Sequence, residues 1–154
     1  MEQNGEESTF QWISDIDVPA ALISYLYRSL QKAFAKELAD YHIGWGHFGI
    51  LAAVYEKEGR SQDGLALSRG FDKTMIAKSV VRLEEEGLIY RKVDPKDKRV
   101  KRLYITQKGQ DLREEILQIG LQLNDLLFMD FEPDEVEQAM RILRKIAKNA
   151  ASFD

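Results

Sequence analysis

Seven basic side chains, Arg91, Lys92, Lys96, Lys98, Arg99, Lys101 and Arg102, fall within twelve residues, opposed only by Asp94 and Asp97. That stretch carries +5, while the rest of the chain carries -9 of an overall -4. Lysine and arginine at this density can bind a phosphate polyanion, partly by releasing its condensed counterions. An acidic body with one positive segment also orients itself, because the segment is drawn to such a partner while the remainder is repelled. The same charges could instead serve only to keep an edge strand soluble.

Other chemistry is sparse. The chain has no cysteine, which excludes disulfides, thiolate catalysis, cysteine-based peroxide sensing and zinc–thiolate sites. His42 and His47 are the only histidines. As metal ligands they would need further donors such as Asp40, and they read as structural or pocket-lining residues instead. GWGHFG, residues 44–49, satisfies Gly-x-Gly-x-x-Gly formally. That pattern cradles pyrophosphate only after a strand in a βαβ unit, and the AKELADYHI before it reads as helix. There is no His-Glu-x-x-His, nucleophile elbow or P-loop, and the LEEEG carboxylates lie at an exposed helix end. The sequence predicts no enzyme, no cofactor and no metal.

With 154 residues, 44% hydrophobic and 31% charged, residues 1–154 have the size and composition of one globular domain. The N-terminal MEQNGEESTF is the opposite of a secretory signal. The longest mostly apolar stretch without a formal charge, IGWGHFGILAAVY, has 13 residues, too few to span a bilayer. The expected location is the cytoplasm, with no membrane partner.

After a polar tail of about ten residues, residues 18–41 show helical spacing, with Leu22, Leu26, Leu30 and Ala33 on one face and Leu38 beyond. HIGWG breaks this helix, and a second carries Phe48, Leu51, Val54 and Tyr55 before Gly59. Ser61 can cap a short third helix closed by Gly70. Asp72 can cap a fourth over residues 73–86, closed by Gly87. Its inward positions are Ile76, Ser79, Val80 and Leu83, and its outward ones Thr74, Lys78, Val81, Arg82 and Glu85. LIYRKV and KRLYIT read as two strands about the Asp94-Pro95 turn. From Thr106 a long helix steps through Leu112, Ile116, Ile119, Leu123 and Leu126 by four and three, the spacing of a coiled-coil seam. A last helix opens with EPDE and ends with Arg144, Lys145 and Lys148, acids first and bases last as the helix dipole prefers. The fold class is therefore mainly α with a small two-stranded β wing, a winged helix-turn-helix plus a helical dimerisation region.

The chain resembles the MarR family of transcriptional regulators over roughly residues 25–149. The most specific part is LEEEGLIYRKVDPKDKRVKRLYITQKG. It carries Leu83-Glu84, Gly87-Leu88, Arg91, Asp97 with Arg99, and Thr106 with Gly109 at the family's positions. Ile105 stands where the pattern has Leu, and Gly64 where many relatives carry Glu; glycine costs the third helix about 1 kcal/mol relative to alanine. The resemblance implies a homodimer built by the terminal helices, residues 10–41 and 107–150, with residues 42–106 as a winged lobe on double-stranded DNA. It also implies that Arg99 enters the minor groove while Asp97 holds it in place.

On this reading Lys73, Thr74, Lys78 and Arg82 meet base edges and phosphates in the major groove, although a solvent-facing helix side needs polar residues in any case. Lys78 and Arg82 repel each other at i,i+4, a repulsion that pairing of Arg82 with Glu86 partly relieves. Ser61, Gln62 and Arg69 can hydrogen-bond phosphates, with Ser61 equally a simple cap. Asp97, Lys98, Arg99 and Lys101 complete the DNA-binding set. Tyr41, His42, Trp45, His47 and Phe48 form an aromatic cluster between the first two helices. Relatives often bind small aromatic effectors at such a boundary, though the rings could simply pack the junction. The expected dimer contacts are Leu22, Leu112, Ile116, Ile119, Leu123, Leu126, Met140 and Leu143. The expected function is a MarR-type repressor that holds a pseudo-palindromic operator as a homodimer and is released by a small aromatic ligand. The alternative is a winged-helix protein-interaction or dimerisation module without DNA binding.

Overall fold

The computed structural model describes residues 11–153, apart from the side chain of Arg69. The chain divides into two compact units between Ile119 and Gly120. In the first, a helical turn at residues 11–15 precedes α1 (Pro19–Glu37), which opens on a proline whose missing N–H is harmless in the first turn. A 3-10 turn (Ala39–Tyr41) and His42, left-handed at φ 52°, redirect the chain into α2 (Trp45–Glu56). The stripe expected on α1 is only partly covered. Phe34 and Leu38 are buried, whereas Leu26 is 47% exposed. Helix α2 buries Ile50, Leu51, Ala53, Val54 and Tyr55, more than the one stripe its sequence suggested, as a helix apolar all round must.

Caps fix the next two helices. The Ser61 hydroxyl accepts the Gly64 N–H at 3.0 Å to start α3 (Gln62–Arg69), which Gly70 closes at φ 64°. The Asp72 carboxylate accepts the Met75 N–H at 2.9 Å to start α4 (Lys73–Glu85). Helix α4 buries Ile76, Ser79, Val80 and Leu83, the inward set of its helical spacing. Beyond Gly87, β1 (Ile89–Val93) runs antiparallel to β2 (Lys101–Ile105), with Tyr90 opposite Tyr104 and Arg91 opposite Leu103. The other edge of β2 is held as well. Gly59 N–H donates to the Leu103 carbonyl at 2.8 Å and Leu103 N–H to the Arg60 carbonyl at 3.0 Å, while Ile105 N–H donates to the Glu58 carboxylate at 2.6 Å. The hairpin is therefore anchored to the α2–α3 turn, with Leu88, Ile89 and Leu103 in the core.

The long helix expected from Thr106 is interrupted. Thr106 caps α5 (Gln107–Asp111), and Leu112, at φ -91° and ψ -1°, forms a turn before α6 (Arg113–Leu127). Packing at Gly109 explains the break. A Cβ there would overlap the Leu88 carbonyl oxygen, and the Tyr55 hydroxyl donates to the Gly109 carbonyl at 2.7 Å. Tyr55 thus competes for the carbonyl that residue 113 would bond in a continuous helix. Burial pushes the Tyr55 phenol up to about 12, so it stays a donor.

The second unit holds the end of α6 and α7 (Pro133–Ala150). Glu132 N–H donates to the Glu135 carboxylate at 2.9 Å at the start of α7. No residue of α7 is buried, and its apolar Ile142, Leu143 and Ile146 are exposed. Among the described residues no helix is long and apolar enough to cross a membrane.

Candidate nucleic-acid interface

The basic segment sorts by residue type. Each of its three arginines meets a carboxylate: Arg91 pairs with Glu84 at 2.5 Å, Arg99 with Asp97 at 3.2 Å, and Arg102 with Asp94. The four lysines, Lys92, Lys96, Lys98 and Lys101, are exposed and make no ion pair among the described residues. The planar guanidinium is suited to fixed partners and the flexible ammonium to a solvated or sliding one. At the tip, Asp97 accepts both the Arg99 N–H at 3.0 Å and its guanidinium. Those bonds, side chain first, hold the Asp97 carboxyl below the usual range. Between the wing and the start of α3 lies a cleft of about 290 Å³, bordered by Ser61, Gln62, Arg91, Arg99 and Lys101.

On α4, Thr74 and Lys78 stand exposed on the outward side, while Lys73 reaches across to Asp63 at 3.1 Å. Arg82 does not join them. Its Nε donates to the His42 carbonyl at 3.1 Å and its guanidinium pairs with Glu86 at 2.8 Å, so it ties the end of α4 to the α1–α2 junction. Glu86 also lies 3.1 Å from His42 Nδ1, and Lys108 Nζ donates to the Glu86 carbonyl at 2.7 Å. His42, then Arg82 and Lys108, keep the Glu86 carboxyl below the usual range. The side chain of Arg69 lies outside the described residues.

The five aromatic-cluster residues divide between packing and polar contacts. Trp45 and Phe48 both lie against Phe34, with ring centroids 4.7 and 4.8 Å away. His47 Nδ1 accepts the Gly44 N–H at 3.0 Å, supplying the start of α2 with an acceptor that Gly44 itself lacks. Burial, then Arg82, lowers the His47 pKa. Burial and a hydrogen bond to Glu115 push the Tyr41 phenol up to about 12.

Of the expected dimer contacts, Ile116 and Leu123 are buried within their own chain, which corrects the idea of a continuous open seam along this helix. Leu22, Leu112, Ile119 and Met140 are half-buried, whereas Leu126 and Leu143 are 60% and 46% exposed. One site pair escaped the sequence reading. Asp94 is a buried carboxylate bound to Arg102, not only part of a turn. Its signal was local, because an aspartate in a turn commonly accepts the N–H two residues on, and Lys96 N–H donates to it at 2.7 Å.

A family model for the MarR family matches residues 43–100. The chain is 30% identical to a MarR transcriptional regulator from Methanosarcina mazei Go1 whose crystal structure superposes with a TM-score of 0.79, covering 88% of this chain and 97% of that one. It is 32% identical to the solved structure of MarR, with a TM-score of 0.78 and coverage of 90% and 95%. It is also 27% identical over 127 residues to YybA, an HTH-type transcriptional regulator of Bacillus subtilis (strain 168), covering 82% of this chain and 85% of that protein.

Proposed function

The chain belongs to the MarR family of transcriptional regulators, and from that premise we propose that it is a repressor holding a pseudo-palindromic operator as a homodimer. It is a DNA-binding regulator and not an enzyme. One observation supports the DNA contact in this reading. On a chain of net charge -4, exposed lysines gather at the hairpin, beside an arginine presented at its tip, next to a helix with Thr74 and Lys78 outward. In this reading α4 enters the major groove with Lys73, Thr74 and Lys78, while Arg99, Lys98 and Lys101 engage the flanking groove and backbone. Ser61, Gln62 and the cleft at the start of α3 receive a phosphate.

Residues 42–106 act as the DNA lobe, and residues 10–41 and 107–150 form the dimer. Support for the second copy comes from apolar side chains that one chain leaves bare: Leu26 on α1, and Ile142, Leu143 and Ile146 on α7. A small aromatic effector would bind near the α1–α2 junction, where Trp45 and Phe48 pack against Phe34 and where Arg82 links the His42 carbonyl to α4. Binding there would shift the two lobes between spacings that fit DNA differently. The test is fluorescence anisotropy on duplex DNA from the gene's own promoter at low and high salt. Binding that weakens steeply with salt is the expected result. Absence of any binding would instead favour a winged-helix interaction module.

A further inference from the structure

Arg102 is one of the seven bases of the wing, yet its guanidinium faces the protein. Its Nε donates to the Asp94 carboxylate, and its Nη1 donates to the Gly59 carbonyl at 2.7 Å. Asp94 is only 5% exposed. Its second oxygen accepts the Lys96 N–H at 2.7 Å, and its own N–H donates to the Val100 carbonyl at 2.9 Å. The Lys96 N–H, then Arg102, hold its carboxyl below the usual range, so it is charged at neutral pH. Ser61 and Arg102 form an antiparallel bridge besides. One continuous chain of bonds therefore runs from the α2–α3 turn through Arg102 and Asp94 into the loop that carries Asp97 and Arg99.

We propose that Asp94 and Arg102 are positioning residues for DNA binding, bracing the loop of residues 94–100 against Gly59 so that Arg99 is presented in one orientation. The inference rests on the reading of the wing as a DNA contact. Charge alone predicts the opposite sign for the key variant. Asp94→Asn removes a negative charge from the wing, which should tighten binding to a polyanion. A lost brace weakens it, because an arginine free to sample many orientations must be ordered on binding.

The experiment uses the full chain and one duplex selected by the wild type from a random-sequence pool. Anisotropy titrations compare wild type, Asp94→Asn, Arg102→Gln, Arg99→Ala and the Asp94→Asn/Arg99→Ala double variant. Asp94→Asn should bind about 10-fold more weakly with the salt dependence of the wild type. It should cost nothing further once Arg99 is gone, as expected of a residue acting through another. Arg102→Gln, at the more exposed end of the pair, should weaken binding similarly, and it carries the test if Asp94→Asn fails to fold by circular dichroism. Unchanged or tighter binding by Asp94→Asn overturns the brace, as does a loss fully additive with Arg99→Ala. So does a salt slope for Arg102→Gln shallower by about one, which would mark a direct phosphate contact. A wild type that selects no duplex at any salt brings down the DNA reading of the wing itself, a result separate from all of these.

Discussion

Arg99→Ala isolates the wing's contribution to DNA binding from its contribution to folding. The side chain is 92% exposed, and its only ion pair among the described residues is with Asp97, at the tip of the same hairpin. It supports no core, so circular dichroism and melting temperature should match the wild type. On DNA the same exposure makes it available. A narrow minor groove concentrates negative potential, which favours an inserted guanidinium, and loss of one such contact costs ~1–3 kcal/mol. A dimer carries two copies, so the combined loss is about 2–6 kcal/mol, or roughly 30-fold to 20,000-fold in Kd. Asp97→Ala should lower affinity less, since it frees the arginine without removing it. The assay is anisotropy at fixed salt on one operator, all three proteins in parallel. Wild-type affinity in Arg99→Ala would mean that the basic hairpin serves something other than DNA.

Gly109→Ala should lose about 1–3 kcal/mol through overpacking, despite alanine's better helix propensity, because its Cβ would overlap the Leu88 carbonyl. A melting temperature equal to or above wild type would refute the close approach. Leu143→Glu should turn the dimer into monomer in light scattering while leaving the fold intact, since the side chain is open in one chain; Leu123 is a poor probe because a charge there would be buried in its own protomer. A stable dimer of Leu143→Glu would remove α7 from the interface. His47 has its pKa lowered by burial, so the unfolded chain binds the extra proton first. Stability should then fall as pH drops below the ordinary histidine value of 6.5, as protonation also takes away the Nδ1 acceptor of the Gly44 N–H. Urea melts of wild type and His47→Gln between neutral and mildly acid pH check this, and an equal pH dependence in both would rule it out.

What the sequence disclosed was whatever depends on neighbours in the chain. The inward face of α4, Ile76, Ser79, Val80 and Leu83, follows from a 3.6-residue period. The caps Ser61 and Asp72 act on N–H groups three residues ahead, and the turn glycines Gly70 and Gly87 adopt positive φ as helix ends demand. What stayed hidden was contact at long separation. The break at Leu112 comes from Tyr55, 54 residues before the Gly109 carbonyl it binds, and no periodicity of residues 106–126 records it. Ile116 and Leu123 look like an open seam by spacing, but spacing cannot say whether the covering surface belongs to the same chain. The basic segment shows the same limit most clearly. Its seven charges are equal in the sequence, and only the partners Glu84, Asp97 and Asp94 separate arginines held in place from lysines left in solvent. Net charge therefore singled out the face proposed to meet DNA, while the division of labour within it depends on carboxylates up to eight residues away. A count of positive charges consequently overstates how many phosphates the wing can neutralise. On the proposed reading, the four lysines without an ion pair among the described residues and the tip arginine, rather than seven bases, should set the salt dependence that the wing contributes.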